Sequence, residues 1–126
     1  MPPDAPDILI VEDNQVNALI LGTMLRKRGY RSEVARSGAE GVEMTARRRP
    51  RLILMDLQMP RLDGFATAAE IRRTCNGATP TMVAVTANTG SEVAAACADA
   101  GFAGLLAKPV IYEDLIATVR RCLELA

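Results

Sequence analysis

Short apolar runs alternate with longer segments of helical period along this chain of 126 residues. Three of the apolar runs are almost continuous, which is typical of parallel strands that are covered by helices on both faces. The other two are weaker and carry more polar positions. The five predicted strands cover residues 8–11, 31–35, 52–55, 82–85 and 102–107.

Local start and stop signals predict a helix after each of these strands. The first helix begins near Gln15 and ends before Gly29, which suits the left-handed position that follows a helix. The second opens on Ser37-Gly-Ala-Glu40, the spacing of a capping box, and stops at Pro50. Asp63 is the predicted N-cap of the third helix. The fourth helix is predicted to begin with Thr89 as its N-cap, with Glu92 three residues on, and to end at Gly101. The fifth is predicted over residues 113–125.

Five strand and helix pairs in this order predict right-handed crossovers and a doubly wound, five-stranded parallel sheet in a three-layer α/β/α sandwich. A hydrophobic content of 49% suits one compact domain. We expect residues 7–126 to form it and residues 1–6 to be a flexible tail or linker. The chain has no apolar run of about 18 residues and its start does not resemble a secretory signal, so we expect a cytoplasmic domain without membrane contact.

The residue types that are scarce limit the chemistry. Histidine is absent, which removes the commonest general base and the commonest transition-metal ligand. Cys75, Cys97 and Cys122 are widely spaced, so they fit neither a disulfide framework nor a zinc site and are expected to be reduced thiols. Any reaction must therefore depend on carboxylates, hydroxyls and lysine.

Basic residues cluster at the ends of four predicted helices, although fifteen basic and fifteen acidic residues give no net charge. The clusters are Arg26-Lys27-Arg28, Arg47-Arg48-Arg49, Arg72-Arg73 and Arg120-Arg121. A nucleic-acid surface is one interpretation, but the clusters have no aromatic neighbours on which bases could stack. We favour the interpretation that they complement the negative ends of the helix dipoles, and we expect no nucleic-acid binding.

Polar side chains that could react follow four of the strands. Glu12 and Asp13 follow the first strand, Asp56 the third, Thr86 the fourth and Lys108 the fifth. The carboxyl ends of parallel strands meet at one edge of the sheet, where open α/β sheets bind their ligands. Three carboxylates at that edge repel one another unless a cation lies among them, and oxygen ligands without histidine or thiolate favour Mg²⁺. For the Glu12-Asp13 pair alone, a solvated loop or a helix cap is an equally good interpretation.

A cation and a lysine together indicate a phosphoryl group. Asp56 is then a candidate nucleophile, with Lys108 and Thr86 holding oxygens of the group that is transferred. Binding of a preformed phosphate is less favoured, because no glycine-rich loop follows the first strand and the acids would repel a phosphate ion.

Four segments, ILIVEDNQVN, LILMDLQMPRLDGF, VAVTAN and LLAKPV, resemble the receiver domain of two-component response regulators over residues 7–125. The resemblance implies the flavodoxin-like strand order 2-1-3-4-5 and phosphorylation of Asp56 by a partner phosphohistidine. It implies Mg²⁺ bound by the side chains of Asp13 and Asp56, by the Gln58 carbonyl and, through water, by Glu12. It also implies Thr86 as the switch hydroxyl, Lys108 as the phosphate-binding cation, and a cis peptide between Lys108 and Pro109.

The wording of the motifs is similar to receivers of hybrid sensor histidine kinases, which pass phosphate on in a relay. The expected partner is a histidine kinase or a histidine phosphotransfer protein, and the expected state is a monomer or weak dimer. A single-domain response regulator and a non-phosphorylated interaction module are the alternatives. A phosphatase with an aspartyl nucleophile is disfavoured, because Gln58 stands where those enzymes have a second acid. The chain would catalyse only its own phosphorylation and slow dephosphorylation, so its status as an enzyme is open.

One position departs from the family pattern. Receivers often carry Tyr or Phe three residues before the lysine, whereas this chain has Leu105. The aromatic switch of the family is therefore in question for Leu105. We expect signalling to depend less on the surface of the fourth helix and more on phosphate transfer at the site.

The first helix carries an apolar arc wider than one buried stripe needs. We expect Val16, Leu19, Ile20 and Met24 to belong to the core. The surplus near the site, beside Asn14, Gln15 and Ala18, is similar to the place where receivers meet phosphotransfer helices, and we expect these three residues to dock the partner.

Overall fold

A computed structural model describes residues 6–59 and 63–124, and the structural statements below concern these residues. Strands and helices alternate strictly within them. The strands are β1 (Ile8–Val11), β2 (Ser32–Ala35), β3 (Leu52–Asp56), β4 (Thr81–Thr86) and β5 (Gly104–Ala107). The helices are α1 (Gln15–Lys27), α2 (Gly38–Arg48), α3 (Gly64–Cys75), α4 (Ser91–Asp99) and α5 (Tyr112–Glu124).

The strands form one parallel sheet in the order β2-β1-β3-β4-β5, which confirms the predicted fold and the order implied by the resemblance. All five predicted strands exist, with ends that differ from the prediction by at most two residues. β1 and β3 are fully buried because they lie in the middle of the sheet with helices on both faces. The most hydrophobic runs therefore form the centre of the fold.

Two apolar clusters separate the sheet from its helices. One contains Leu9, Ile53 and Phe102, and the other contains Ile8, Leu54 and Leu115. Successive residues of a strand point to opposite faces, so each central strand contributes to both clusters. This packing fixes the strands on which the polar residues at the sheet edge are mounted.

Helix ends follow most of the predicted signals. Asn14, Ser37 and Asp63 cap α1, α2 and α3 through their side chains. Gly29 and Gly101 both have a φ of 84°, which is the left-handed conformation predicted for these helix ends. The prediction for Thr89 was wrong: Gly90 is the N-cap of α4 and makes no side-chain hydrogen bond, because the chain enters the helix one residue later.

The predicted core of α1 was wrong for three residues. Val16, Leu19 and Ile20 are 64%, 66% and 45% exposed. The buried residues of this helix are Ala18, Leu21 and Leu25, whose spacing of three and four places them on one stripe facing the sheet. The three exposed residues lie on the other side of the helix, while Met24 packs partly against the core as expected.

The basic residues lie where they were predicted. Arg26, Arg47, Arg72 and Arg121 are in the last turns of their helices, where a cation complements the helix dipole. No helix within residues 6–59 and 63–124 has both the length and the apolarity that a membrane crossing requires. The proposed tail, residues 1–6, and the predicted last residue of α5, Leu125, lie almost entirely outside the described residues.

Candidate functional site

The carboxyl edge of the sheet brings the predicted polar residues together. Glu12 follows β1 directly, Asp56 ends β3, Thr86 ends β4 and Lys108 follows β5. Glu12, Asp56 and Thr86 are each only 2% exposed. Burial of polar groups at the ends of apolar strands requires partners for them, because an unpaired buried charge is strongly unfavourable.

Three carboxylates form the acidic part of the site. One carboxylate oxygen from each of Glu12, Asp13 and Asp56 lies within 4.8 Å of the others. Asp13 is exposed, whereas the other two are buried, so the cluster opens to solvent on one side. At such distances each pair of negative charges repels by about 1 to 4 kcal/mol, depending on the effective dielectric constant.

Lys108 supplies a positive charge to this cluster. Its Nζ donates to Asp56 Oδ1 at 3.0 Å and lies 3.2 Å from Glu12 Oε1. Burial lowers the pKa of Lys108, but the hydrogen bond to Asp56 and the charges of Asp56 and Glu12 outweigh it, so the pKa lies above its usual value. The ammonium group therefore stays charged at neutral pH, and the single cation faces more than one carboxylate.

Glu12 is the member of the site whose buried carboxylate has the least complete hydrogen bonding. Burial is the main reason that its pKa rises to about 7, and its contact with Asp56 raises it further, whereas the Asn14 backbone amide and Lys108 oppose the rise. Its Oε2 accepts from Asn14 N at 3.2 Å, but its buried Oε1 has no hydrogen bond of good geometry. A buried oxygen in this state favours either a proton or an additional cation.

The donor set fits a hard divalent cation. The three clustered groups are carboxylates, and within the described residues no histidine or cysteine lies among them. All-oxygen ligands suit Mg²⁺, which retains several water molecules and needs few protein ligands. Glu12 Oε1, which has an ion-pair contact with Lys108 but no hydrogen bond, and the open side at Asp13 are the two features of this site that a cation and its waters would satisfy.

Asp56 is held by its backbone as well as by Lys108. The backbone N–H of Gln58 donates to Asp56 Oδ1 at 3.0 Å, and the backbone N–H of Leu57 donates to Val85 O of β4 at 3.2 Å. Gln58 itself is exposed, in the loop that follows β3. These contacts give the Asp56 carboxylate a fixed orientation before any ligand binds.

Gly64 contributes to this arrangement, and sequence reasoning missed it. A Cβ atom at position 64 would lie 2.6 Å from the Asp56 carbonyl oxygen and 2.8 Å from Leu57 Cα. Only glycine lets the first turn of α3 approach the end of β3 so closely. The signal was present as Asp63-Gly64, a cap followed by glycine at the first helical position, but nothing in it indicated what the glycine faces.

Thr86 and the segment after β5 complete the edge. Thr86 Oγ1 accepts from Asn88 N at 3.1 Å, and Lys108 N donates to Thr86 O at 2.9 Å. The Lys108-Pro109 peptide bond is cis, as the resemblance implied. Leu105 is half-buried and packs against the core cluster that contains Phe102.

The residues expected to dock a partner separate into two groups. Asn14 and Gln15 are exposed at the start of α1, as the prediction requires. Ala18 is only 5% exposed, so its side chain belongs to the core and the prediction for it was wrong. The exposed apolar side chains nearby are instead Val16, Leu19 and Ile20, which we call the α1 patch.

A small cavity of about 90 Å³ connects the α1 patch with the site. Its walls include Ile20 of the patch, the two site residues Glu12 and Lys108, and the neighbouring Pro109 and Val110. Ile111, next along the chain, is 57% exposed. Exposed apolar surface therefore reaches from α1 to the segment before α5, directly beside the acids.

Fold and site together define a class: a doubly wound α/β domain with strand order 2-1-3-4-5 and an acid and lysine cluster at the carboxyl edge of its sheet. The sequence profile of the response regulator receiver domain family matches residues 8–120. This chain belongs to that family, and it is a receiver domain of two-component signalling.

Relatives with solved structures share the whole fold. The receiver domain of the sensor histidine kinase PA1611 from Pseudomonas aeruginosa, which has a magnesium ion coordinated in its active site cleft, is 37% identical, with a TM-score of 0.85 over 95% of this chain and 98% of that one. A chain from the Saccharomyces cerevisiae complex of the histidine phosphotransfer protein Ypd1 with the receiver domain of Ssk1 is 32% identical, with a TM-score of 0.84 over 92% of this chain and 88% of that one.

Curated relatives are mostly much longer than this chain. Hybrid signal transduction histidine kinase B of Dictyostelium discoideum is 36% identical over 86% of this chain, but the match covers only 6% of that protein. Among four such relatives, the chain spans between 6% and 50% of the relative's length. The match therefore concerns the receiver part of each relative.

Proposed function

We propose that Asp56 is the phosphoacceptor of this receiver domain and takes its phosphoryl group from a phosphohistidine of a partner protein. One oxygen of the Asp56 carboxylate attacks phosphorus, a new P–O bond forms, and the P–N bond to the histidine breaks. The electron pair of the broken bond returns to the imidazole. The observation that carries the proposal is the buried Asp56 carboxylate, held by Lys108 and the Gln58 amide beside two further acids.

Glu12, Asp13 and Asp56, with the Gln58 carbonyl, would hold Mg²⁺, and Glu12 would act chiefly through water. When bound, this cation supplies positive charge that offsets the repulsion among the acids and neutralises oxygens of the phosphoryl group. The magnesium ion in the PA1611 receiver supports this assignment by analogy. The three clustered carboxylates of this chain support it directly.

Lys108 and Thr86 have separate tasks in the proposed reaction. Lys108 is within 3.0 Å of the Asp56 carboxylate, so its ammonium group can bind an oxygen of the transferred group and stabilise the charge that develops there. Thr86 ends the strand next to β3, and its hydroxyl can donate to another oxygen. Movement of Thr86 toward that oxygen would be the switch.

Leu105 limits how far that switch reaches. It is half-buried against the core and has neither a ring nor a hydroxyl to present on the surface of α4 and α5. We propose that phosphorylation changes this surface little and that the output of the domain is phosphate transfer. A fluoroberyllate-bound structure with a new Leu105 rotamer and a displaced α4 would contradict this.

The partner would bind over the α1 patch. A phosphohistidine must reach Asp56 from the open side of the site, so its protein must cover the rim formed by α1 and the segment before α5. Apolar surface of the partner would bury Val16, Leu19 and Ile20, while Asn14 and Gln15 would contact its polar rim. The complex of Ypd1 with the Ssk1 receiver supports a phosphotransfer protein as the kind of partner.

We assign the domain to a phosphorelay, as part of a hybrid histidine kinase. The 36% identity to a hybrid kinase and the 37% identity to the receiver of a sensor kinase support this subtype. A single-domain response regulator is the alternative, because the response regulator MprA of Mycobacterium leprae is equally similar at 37%.

Labelling with acetyl phosphate and Mg²⁺ tests the proposed function. Wild-type protein should gain one phosphoryl group per chain, held as an acyl phosphate, and Asp56→Asn should gain none. Asp99→Asn, an exposed acid at the end of α4, is the matched control and should label normally. Absence of labelling in the wild type would indicate an interaction module, and rapid release of inorganic phosphate would indicate a phosphatase.

A further inference from the structure

Within the part of the chain that the structure describes, the edge of the sheet formed by β2 is unpaired, and it borders a groove beside α1. β2 pairs only with β1, so one side of this strand faces no other strand within the described chain. Between β2 and α1 lies a groove of about 710 Å³. An unpaired strand edge beside a groove is a surface that an extended peptide can join.

The backbone hydrogen bonds show which amides face outward. The Arg31 carbonyl accepts a hydrogen bond from Ile8 N of β1 at 3.1 Å. The Ala35 carbonyl accepts one from Glu12 N, which follows β1, at 2.9 Å. Backbone groups alternate in direction along a strand, so those of Ser32 and Val34 point away from β1. Both residues line the groove. They offer two N–H donors and two carbonyl acceptors to an added strand.

The charge of the groove is positive. Of its two acids, Glu33 is paired with Arg48, which binds it through Nε at 2.9 Å and Nη2 at 2.7 Å. Glu12 lies 3.2 Å from Lys108, a cation that it shares with Asp56. Arg26 and Arg36 also line it, and neither has an ion-pair partner in the part of the chain that the structure describes. Unpaired arginines at an open edge favour an acidic ligand.

Gly22 keeps the groove open at its middle. It lies in α1 facing β2, and a Cβ atom there would meet only Ser32 Oγ, at 3.8 Å. Its φ is not in the left-handed region, so a larger side chain fits the helix and would extend into the groove. The groove can therefore be filled without disturbing the fold.

We propose that the β2 edge binds an acidic peptide segment in extended conformation, which adds to the sheet beside Ser32 and Val34. Its backbone would pair with the outward amides of these two residues, and its acidic side chains would contact Arg26 and Arg36. The groove shares Glu12 with the phosphoacceptor site and Gln15 and Leu19 with the proposed partner surface. The groups that would hold the peptide are elsewhere in the groove, so the proposal does not depend on phosphorylation of Asp56.

The test uses a labelled seven-residue peptide of alternating Glu and Val, with an alternating Lys and Val peptide as its control. Fluorescence anisotropy should show at least tenfold tighter binding of the acidic peptide. Binding should weaken at least tenfold in Gly22→Met and in the double variant Arg26→Glu/Arg36→Glu. The control Arg28→Glu/Arg120→Glu makes the same charge change outside the groove and should bind normally.

Amide hydrogen exchange gives the readout that identifies strand addition. The Ser32 and Val34 amides should exchange at least tenfold more slowly with the acidic peptide bound, while amides of α5 should not change. Equal binding of both peptides, equal binding by the two double variants, or no protection of Ser32 and Val34 would each overturn the proposal. Failure of the acidic peptide to bind at millimolar concentration would also overturn it.

Discussion

Both ends of the parallel sheet carry charged residues, but the charges are clustered in the interior at one end and dispersed on the surface at the other. At the carboxyl end, Glu12 and Asp56 are buried and the half-buried Lys108 contacts both, so their charges interact strongly. At the other end, most of the arginines of the helix termini are exposed and spread out, as with Arg47, whose side chain is 63% exposed beside Glu43. Arg48, which is half-buried and bound to Glu33, is an exception. Charge that is concentrated in a buried place indicates chemistry, whereas charge that is spread in solvent serves helix ends and solubility.

The difference comes from which element positions each group. The acids and the lysine are attached to strand ends, and the core clusters hold those strands rigidly. The arginines project from helix ends on long side chains that water surrounds. Substitutions at the carboxyl end should therefore have large effects on both activity and stability, and equivalent substitutions at the other end should have small ones.

Loss of Lys108 should have the largest effect. Lys108→Ala removes the cation that contacts Asp56 and Glu12, so labelling of Asp56 by acetyl phosphate should slow by about 100-fold or more, as when a donor to a developing charge is lost. Lys27→Ala, on an exposed part of α1, is the control. An unchanged labelling rate at saturating Mg²⁺ would remove Lys108 from the proposed reaction.

Gly64→Ala should have the next largest effect, which is a loss of folding stability. The added Cβ would overlap the Asp56 carbonyl and Leu57 Cα, so unfolding should become easier by about 1 to 3 kcal/mol. Gly77→Ala at the opposite end adds strain from a φ of 94° but has open space around it, and it should cost about 1 kcal/mol. Urea denaturation of both variants measures the difference, and a larger loss for Gly77→Ala would contradict it.

Gly64 also illustrates what the sequence could and could not predict. The strands and the convergence of Glu12, Asp56 and Lys108 followed from pattern, because parallel strand ends must meet at one edge. The role of Gly64 depends on a contact between α3 and β3, and a local pattern carries no information about such a contact. The same reason applies to Gly90, which replaced Thr89 as the cap of α4.

The exposure of α1 was harder to predict for a related reason. An apolar arc wider than one stripe does not specify which part of it faces the sheet. In the folded domain Ala18, Leu21 and Leu25 face the sheet and are buried, whereas Val16 and Leu19 are exposed to solvent. The patch was therefore expected in the right helix but on the wrong residues, because the rotation of a helix about its axis is a tertiary property.

A substitution at Glu12 should give an effect of similar size that appears only at higher pH. Its folded-state pKa of about 7 lies above the ordinary value of 4.5, so between these pH values the folded protein holds a proton that the unfolded chain has lost. The free energy of unfolding without Mg²⁺ should therefore fall as pH rises from about 4.5 to 7. Glu12→Gln should flatten this fall and add about 1 to 3 kcal/mol of stability at pH 8.

Thermal unfolding in EDTA, followed at several pH values, measures this effect. The variant and the wild type should be closest near pH 4 and farthest apart at pH 8. Added Mg²⁺ should stabilise the wild type more than Glu12→Gln, because the variant lacks one carboxylate of the proposed site. Parallel stability curves for the two proteins at all pH values would contradict the raised pKa of Glu12.

Arg47→Ala should have the smallest effect and completes the comparison. Arg47 lies 3.6 Å from Glu43 one turn earlier in α2, and both side chains are more than 60% exposed, so water and salt screen their attraction. The free energy of unfolding should change by less than about 0.5 kcal/mol, and labelling of Asp56 should be unaffected. Urea denaturation at low and at high salt measures it. A loss above about 1 kcal/mol that disappears in high salt would mean that charges at this end are coupled as strongly as those around Asp56, and the contrast between the two ends would fail.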